Sequence, residues 1–244
     1  MAAVLVTRPD PDNAATAAAL RARGHEVLLA PALRFEPIPL PPGNTADYGA
    51  VIVTSANALR AVAPLLQDHP LLKLPLFAVG AQTAAAARRA GFAAVISADG
   101  DAEALRECVL RSVRAAPAED TSPLLYLAGA DLSRDLAGEL GAHGIAVVTR
   151  TTYRMVPVAR LPRDICDAFN AGRIATVLHY SARSARAFLE AARAAGVEIS
   201  ALAIPQCCIS AAVAQVLREA GAARVVVAAS PDEDALLTAL SRSI

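Results

Sequence analysis

Short apolar runs recur along the chain, and each is followed by small or hydroxyl-bearing residues and then by an alanine-rich segment. Continuous runs of valine, isoleucine and leucine are typical of strands that are buried on both faces of a parallel sheet. Alanine favours helix more strongly than any other residue. The pattern predicts strands over residues 3–7, 25–30, 50–54, 76–79, 94–97, 124–128, 146–149, 175–178, 203–209 and 224–228.

Helices are expected between these strands. The first is predicted to open at Pro11 and Asp12 and to end at Gly24, because proline fits a first helical turn and glycine fits a C-cap. Further helices are predicted to begin near Asn57, Gln82, Ala102 and Asp131. Strands that alternate with helices predict an α/β fold with doubly wound, mostly parallel, flavodoxin-like sheets.

The chain also contains an internal repeat. Residues 51–58 resemble residues 176–183, with Ser55 opposite Ser181 at an offset of 126. Gly91 then falls opposite Gly221 at an offset of 130. In a third match, the segment that begins at Gly129 resembles the segment that begins at Thr7. The unit at the end of one half of the repeat therefore resembles the unit at the beginning of the other half. The repeat predicts two similar α/β domains in permuted order, with a ligand cleft at the C-terminal ends of their strands.

Two extended segments are expected to connect these domains. One contains Leu33–Pro37 within a proline-rich stretch that excludes helix, and the other spans residues 151–157 and again ends in proline. We therefore predict a discontinuous domain 1 of residues 1–34 and 156–244, and an inserted domain 2 of residues 38–150. Residues 35–37 and 151–155 are predicted to form a two-strand linker, which would act as a hinge.

Composition excludes some classes of function. The 23 basic and 23 acidic residues give a formal net charge of zero, which does not favour a nucleic-acid or membrane partner. No apolar stretch approaches the roughly 20 residues that span a bilayer, and no charged leader precedes the first strand, so we expect a soluble, cytoplasmic protein. The four cysteines lack metal-ligand spacing, and the Cys207–Cys208 pair is expected to be core.

Hydroxyl-bearing and small residues cluster where the predicted strands end and helices begin. Such residues cap helices, and the same helix N-termini attract anions, so a substrate rich in carboxylates is favoured. The predicted binding residues are Thr7, Arg8, Ser55, Ala56, Asn57, Gly80, Thr83, Gly129, Ser181, Arg183, Ser184 and Ser210.

Known catalytic motifs are missing from the sequence. It has no Gly-x-Ser-x-Gly, no P-loop and no Gly-x-Gly-x-x-Gly, so acyl transfer, nucleotide hydrolysis and nicotinamide chemistry lack support. His179 ends an apolar strand, where a packed histidine is expected more often than a catalytic one. The acidic groups around Asp101 and Asp232 are expected to stabilise helix N-termini. Tyr153 differs, since it lies on an interdomain segment, where a phenol would face the cleft.

The chain resembles the uroporphyrinogen-III synthase family over essentially its whole length. Each motif that carries the resemblance is weak alone, but their order and spacing are fairly specific. They are Val6-Thr7-Arg8-Pro9, residues 24–31, Val53-Thr54-Ser55-Ala56-Asn57-Ala58, Phe77-Ala78-Val79-Gly80, Leu127-Ala128-Gly129, the Tyr153 segment, Tyr180-Ser181, and Ser230-Pro231 with Ala235-Leu236.

The resemblance implies two similar α/β domains joined by two strands. It also implies a cofactor-free reaction without a metal: linear hydroxymethylbilane loses water and closes to uroporphyrinogen III with its last pyrrole ring inverted. The family carries a tyrosine at the position of Tyr153, and a phenol, with a reference pKa near 10, would stay protonated to donate to the departing hydroxyl. We expect a monomer that receives its substrate from the preceding enzyme of the pathway.

One departure from the family concerns the turn after residue 209. The family usually has glycine and then threonine there, whereas this chain has Ser210-Ala211-Ala212-Val213, so only Ser210 supplies a hydroxyl. Two other readings stay open at this point. One is a two-lobed cytoplasmic binding or regulatory domain for a small polyanion, and the other is a purely structural duplicate.

Overall fold

The computed structural model describes residues 3–39, 48–115 and 122–241. The predicted domain ranges 1–34, 38–150 and 156–244 each include positions outside these segments, and so does the proline-rich stretch at Pro41 and Pro42. Among the described residues, no helix is long and apolar enough to cross a membrane.

The described chain alternates strands with helices, as the hydrophobic pattern predicts. The strands are β1 (Ala3–Val6), β2 (Val27–Leu29), β3 (Leu33–Pro37), β4 (Ala50–Val53), β5 (Leu76–Ala78), β6 (Val95–Ser97), β7 (Leu124–Gly129), β8 (Val147–Pro157), β9 (Ile174–His179), β10 (Gln206–Cys208) and β11 (Val225–Val227). The α-helices are α1 (Asp12–Ala22), α2 (Ala56–Val62), α3 (Ala81–Arg89), α4 (Ala102–Ala115), α5 (Leu136–Gly141), α6 (Arg163–Asn170), α7 (Ala182–Ala195), α8 (Glu198–Ala203), α9 (Ala211–Glu219) and α10 (Glu233–Leu240). Short 3-10 helices occupy Ala63–Leu65 and Pro70–Lys73.

The chain divides into two compact units. Unit 1 contains residues 1–35 and 156–244, and unit 2 contains residues 36–155. Unit 1 is discontinuous, because unit 2 is inserted after its second strand. The predicted fold class, two doubly wound α/β domains of which one is discontinuous, is confirmed.

Unit 1 is built on a five-stranded sheet in the order β11-β10-β9-β1-β2. Each neighbouring pair in this sheet is parallel. Side chains of β1 alternate between the two faces, so Val4 and Val6 share one core cluster with Leu20 of α1 and Leu236 of α10. Cys207 lies in the same cluster, fully buried, which confirms that it is core.

Unit 2 is built on a six-stranded sheet in the order β3-β8-β7-β4-β5-β6, of which β3 and the end of β8 extend across the unit boundary. Strand β4 divides its side chains between two cores. Val51 and Val53 pack with residues of α2 and α3, and Ala50 and Ile52 pack with residues of α4 and α5. The sheet therefore lies between two helical layers, and its strand ends remain the place where loops can form a site.

The two sheets have the same topology with a different starting strand. Unit 1 has the flavodoxin-like order 2-1-3-4-5 when its strands are counted along the chain. Unit 2 gives the same order only if the count starts at β7 and β8 and continues with β4, β5 and β6. This finding agrees with the permuted relation that the third internal match predicts.

Three predicted elements were wrong in detail. No helix starts at Asp131, because residues 131–135 form bends and irregular backbone, and Asp135 caps α5 by accepting from the N–H of Gly138 at 2.9 Å. Ala203 ends helix α8 instead of starting a strand, since Pro205 separates α8 from the short β10. The strand predicted over 146–149 and the segment 151–157 are one continuous strand, β8.

Candidate functional site

A cavity of about 290 Å³ lies in unit 2, beyond the C-terminal ends of β4, β5 and β7. Its lining mixes hydroxyl groups, two charged side chains and a few apolar ones. The lining residues are Thr54, Ser55, Val79, Ala102, Tyr126, Gly129, Asp131, Leu132, Ser133, Arg134, Leu136 and Tyr153. This volume is close to the lower end of the range for small-molecule sites, roughly 300 Å³. The cavity therefore suits one part of a larger substrate.

Tyr153 enters this cavity directly above Gly129. The two residues pair across β7 and β8 at a register shift, and the N–H of Ala130 donates to the Tyr153 carbonyl at 2.8 Å. The Tyr153 ring occupies the space that a Cβ on Gly129 would need. Two predicted site residues, Gly129 and Tyr153, are thus brought into contact, and the glycine is what lets the phenol lie there.

Tyr126 and Thr54 form a second hydroxyl pair at the cavity. Tyr126 is in the middle of β7, opposite Ile52 of β4, and only 3% of it is exposed. Its Oη lies 2.9 Å from Oγ1 of Thr54, the residue that follows β4. Burial raises the pKa of Tyr126, the hydrogen bond with Thr54 lowers it, and the nearby Tyr153 raises it further.

The charged groups of the lining are Asp131 and Arg134. Arg134 is already engaged, since its Nε donates to Glu139 and its Nη1 lies 3.7 Å from a carboxylate oxygen of Glu103. Glu139 also forms an ion pair with Arg106, whose Nη1 lies 3.5 Å from a carboxylate oxygen of Glu139. The positive charge at the cavity is therefore compensated by neighbouring carboxylates.

Ser55 lines the cavity and caps helix α2. Its backbone is extended, and its Oγ accepts a hydrogen bond from the N–H of Asn57 at 3.2 Å. Ala56 and Asn57 form the first turn of the same helix, and Asn57 accepts from Arg60 and contacts Sδ of Met155. The N–H of Asn57 is used by this cap, and the N–H of Ala58 donates to the Ser55 carbonyl at 3.1 Å, so an anion at the start of α2 would meet the N–H of Ala56 and the positive end of the helix dipole.

Gly80 and Thr83 lie at the next strand end. Gly80 is the N-cap of α3 and offers no side-chain hydrogen bond, while Thr83 is buried on the inner face of that helix. Val79, the residue before Gly80, lines the cavity, but neither Gly80 nor Thr83 does.

In unit 1, Thr7 and Arg8 follow β1. The hydroxyl of Thr7 is fully buried and donates to the Leu178 carbonyl at 2.8 Å, which ties β1 to β9. The Arg8 guanidinium lies 4.7 Å above the ring of Tyr180 and forms an ion pair with Glu233 at 3.4 Å. Both predicted binding residues thus have structural partners inside unit 1.

Tyr180 is the centre of this polar cluster. Its hydroxyl donates to a carboxylate oxygen of Glu233 at 3.2 Å, and Oγ1 of Thr16 lies 3.4 Å from the same hydroxyl. Burial raises the pKa of Tyr180 to about 12, against the hydrogen bond with Thr16 and the nearby Arg8, which lower it. Glu233 stands in the first turn of α10, which Asp232 caps through the N–H of Ala235, so this acidic group has the structural role that the sequence predicts.

The other predicted residues of unit 1 lie at helix starts. Ser181 caps α7 by accepting from the N–H of Ser184 at 3.0 Å, and the buried Ser184 hydroxyl contacts the Ser181 hydroxyl at 2.8 Å. Arg183 is in the same turn. Ser210 is the N-cap of α9 but makes no side-chain capping hydrogen bond. Since β10, β9 and β1 are neighbours, these residues and Arg8 share one sheet edge.

His179 is fully buried and packed in the core, as expected. Its Nε2 lies 2.8 Å from Oε1 of Gln206, and Gln206 donates its own amide to the carbonyls of Ala201 and Ile204. The histidine therefore carries its proton on Nε2, and Nδ1 is a buried acceptor without a hydrogen-bond partner. Burial lowers the pKa of His179 to about 4, and the hydrogen bond to Gln206 only partly offsets this.

Several lining residues were not assigned to the site from the sequence. The sequence pattern places Tyr126 within a buried strand and Thr54 in a turn that caps a helix, and neither position indicates a site by itself. Arg134 and Ser133 fall in a segment that the pattern assigns to a helix. A phenol within an otherwise aliphatic strand was the available signal, because a buried hydroxyl needs a partner. Across residues 3–39, 48–115 and 122–241, no group of three or more His, Cys, Asp or Glu side chains could hold a metal ion.

Comparison with known proteins identifies the family. The profile described as uroporphyrinogen-III synthase HemD matches residues 14–238, which include all of unit 2, most of unit 1 and the whole cavity lining. The chain belongs to the uroporphyrinogen-III synthase family. It is accordingly an enzyme of tetrapyrrole biosynthesis that cyclises a linear tetrapyrrole. The comparison with curated protein sequences gives no match.

Two solved structures support the fold. The crystal structure of uroporphyrinogen-III synthetase from Helicobacter pylori 26695 is 20% identical, with a TM-score of 0.66, over 99% of this chain and 100% of that one. A mutant uroporphyrinogen III synthase from the extremely thermophilic bacterium Thermus thermophilus is 19% identical, with a TM-score of 0.55, over 100% of this chain and 98% of that one. At this identity the likeness concerns the fold.

Proposed function

We propose that the chain converts hydroxymethylbilane to uroporphyrinogen III, with loss of water and inversion of the terminal ring, and that the unit 2 cavity receives the reacting end of the bilane. The observation that carries this assignment is the phenol of Tyr153 above Gly129, in a cavity lined by further hydroxyl groups. The reaction requires a proton for the leaving hydroxyl and a site that controls which carbon attacks.

Tyr153 is the proposed proton donor. When the C–O bond of the hydroxymethyl group breaks, its electron pair stays on oxygen and the Tyr153 proton completes a water molecule. The pyrrole keeps its N–H, and the ring together with its exocyclic carbon is left as an electrophilic azafulvenium cation, whose charge balances the Tyr153 phenolate. A positioned acid of this kind typically contributes roughly 10²–10⁴-fold to the rate.

Ring inversion follows from the order of bond formation. The substituted α-carbon of the terminal pyrrole attacks the exocyclic carbon of the azafulvenium cation and gives a cationic spiro intermediate. The older bond to that α-carbon then breaks, which leaves a second azafulvenium cation, and the unsubstituted α-carbon attacks this cation and closes the macrocycle. The proton lost from this last carbon returns to the Tyr153 phenolate, so the net change is the loss of one water.

The substrate carboxylates are proposed to contact the helix starts. Backbone N–H groups at the starts of α2, α3, α7 and α9 are suited to carboxylates, because they are donors at the positive end of a helix dipole. Residues proposed for this role are Ser55, Ala56, Asn57, Gly80, Thr83, Ser181, Arg183, Ser184 and Ser210, with Thr7 and Arg8 at the end of β1. For Arg8, binding would require exchange of its ion pair with Glu233.

We further propose that the enzyme acts as a cytoplasmic monomer and takes its substrate from the preceding enzyme of the pathway. An unstable bilane that closes by itself without inversion favours rapid transfer. Sedimentation equilibrium of the purified chain measures the oligomeric state, and a dimer would contradict the proposal.

The activity is tested with freshly made hydroxymethylbilane. Separation of the two cyclic products gives the ratio of type III to type I, and the enzyme should shift the product to type III. A binding or regulatory protein would instead bind the bilane and leave type I as the product, and a structural duplicate would do neither.

A further inference from the structure

Thr54 and Tyr126 together hold more hydrogen-bond donors than their own contact uses. Each hydroxyl has one O–H, and the single hydrogen bond between them, at 2.9 Å, uses one of the two. Within the described residues, neither hydroxyl makes another hydrogen bond to the protein. Both residues line the cavity that holds Tyr153. One O–H of the pair is therefore available to a molecule in that cavity.

The charges around the cavity indicate which acceptor this O–H would meet. Arg134, the cation of the lining, is held by Glu139 and Glu103, and Asp131 adds a negative charge. Because the lining cation is already paired, the Thr54–Tyr126 hydroxyls lack the charged neighbour that would help to hold a carboxylate, in contrast to the helix start proposed for carboxylate binding at Ser55. A neutral oxygen atom that gains negative charge only during the reaction suits a neutral hydroxyl donor better.

We propose that the Thr54–Tyr126 pair donates a hydrogen bond to the leaving hydroxyl of the substrate and stabilises the charge that develops on its oxygen. This inference rests on the proposed function, in which Tyr153 gives the proton to that same oxygen. The pair supplies no proton to the products: the Tyr153 proton goes to the leaving oxygen, and the pair keeps both of its own.

The two phenols have different roles because their surroundings differ. Tyr126 is almost fully buried and its ring packs in the core between the sheet, α4 and α5. Burial disfavours the phenolate of Tyr126, and a charge on Tyr153 disfavours it further. Tyr126 therefore stays a neutral donor at the moment when Tyr153 gives up its proton.

Removal of the pair tests the inference. The double variant Thr54→Val and Tyr126→Phe keeps the shapes and removes both hydroxyls. Its kcat for type III formation should fall at least about tenfold. Removal of one oxyanion donor typically lowers kcat by roughly 10²–10³-fold, and the threshold is set lower here because a water molecule can replace part of the lost donor. KM should change little, since the interaction strengthens only in the transition state. The kcat of each single variant should lie between the values of the wild type and the double variant, because the remaining hydroxyl can still donate to the substrate.

Two control variants make the same types of substitution, tyrosine to phenylalanine and threonine to valine, at positions outside the cavity. Tyr48→Phe changes a partly buried tyrosine of unit 2 that does not line the cavity, and Thr176→Val removes a buried hydroxyl of unit 1 that donates to Pro205 at 2.9 Å. Both controls should keep the wild-type kcat. Thr176→Val should nevertheless unfold at a lower denaturant concentration than the wild type, because it loses a buried hydrogen bond.

A second substrate separates charge stabilisation from general disturbance. An analogue with an aminomethyl group in place of the hydroxymethyl group is protonated near neutral pH, so it leaves as neutral ammonia and develops no negative charge. The loss of kcat in the double variant should largely disappear with this analogue. An equal loss on both substrates would overturn the inference, as would a wild-type kcat on hydroxymethylbilane. The role of Tyr153 is decided independently by its own phenylalanine variant.

Discussion

A Cβ on Gly129 would lie 2.7 Å from Cζ and 2.8 Å from Oη of Tyr153. No carbon can approach that closely, so Gly129→Ala must move the phenol. A displacement of about 1 Å can cost about 10²-fold in rate. We expect Gly129→Ala to lose at least about tenfold in type III formation, with about 1–3 kcal/mol of stability lost to overpacking. Product analysis and chemical denaturation measure the two effects.

The control for this variant is Gly141→Ala at the end of α5. Nothing lies within 4 Å of a Cβ placed there. Wild-type turnover by Gly141→Ala and reduced turnover by Gly129→Ala would establish the steric cause. If Gly129→Ala has normal turnover, the position of the Tyr153 ring does not matter for the reaction.

The Tyr153 hydroxyl is expected to carry the proton transfer. Tyr153→Phe keeps the ring above Gly129 and removes the donor, so type III formation should fall at least about tenfold, allowing for partial rescue by water. The melting temperature should change little. Tyr48→Phe, outside the cavity, serves as the matched control. Near-normal turnover by Tyr153→Phe would exclude a proton-donor role and leave conformational control as the main mechanism.

Charge at Ser55 tests carboxylate binding at the start of α2. Asparagine and aspartate both cap helices well, so Ser55→Asn and Ser55→Asp should fold with similar stability. Only aspartate adds a negative charge beside the proposed carboxylate site. KM for the bilane should rise several-fold in Ser55→Asp relative to Ser55→Asn, and more at low salt. Equal KM values for the two variants would remove this turn from the site.

The lowered pKa of His179 predicts that the stability of the protein depends on pH. Its pKa is about 4 in the folded state, against an ordinary value of 6.5. Between these values the unfolded chain binds more protons, so the free energy of unfolding falls as the pH is lowered from 6.5 to 4. The shift corresponds to a loss on the order of 3 kcal/mol. Denaturant unfolding across this pH range measures it.

Variants at two histidines isolate this effect. His179→Gln should be less stable at pH 7 but should show a flatter dependence between pH 6.5 and 4. His143→Gln, which changes an exposed histidine, should keep the wild-type slope. A wild-type slope in His179→Gln would assign the pH dependence to other groups.

Much of the fold could be predicted because buried parallel strands leave a strong signal in the sequence. The run at Ala50–Val53 is apolar throughout and the run at Leu124–Gly129 is apolar except for the Tyr126 hydroxyl, so their strands were found with nearly correct bounds. Helix α8 was not found, because a short apolar run next to a strand has no periodicity that separates helix from strand. Its end at Ala203 is set by Pro205 and by tertiary packing.

The candidate site was harder to predict, because its contacts join distant positions. Thr54 and Tyr126 are 72 residues apart, and only the register of β4 against β7 brings their hydroxyls together. Arg8 was predicted to bind substrate from its place after a strand, but its partner Glu233 is 225 residues away. The local sequence contains no sign of either pairing.

The permuted strand order has a consequence for the origin of the molecule. Along the chain, β1 and β2 precede β4, β5 and β6, and β7 and β8 precede β9, β10 and β11. Each series is a full flavodoxin-like set in its native order, so the sequence is a tandem duplication. Each compact unit nevertheless takes two strands from one repeat and three from the other. The structure is thus an intramolecular domain swap between the two repeats: each repeat has the strands of a complete sheet, yet each sheet is completed by strands of the other repeat.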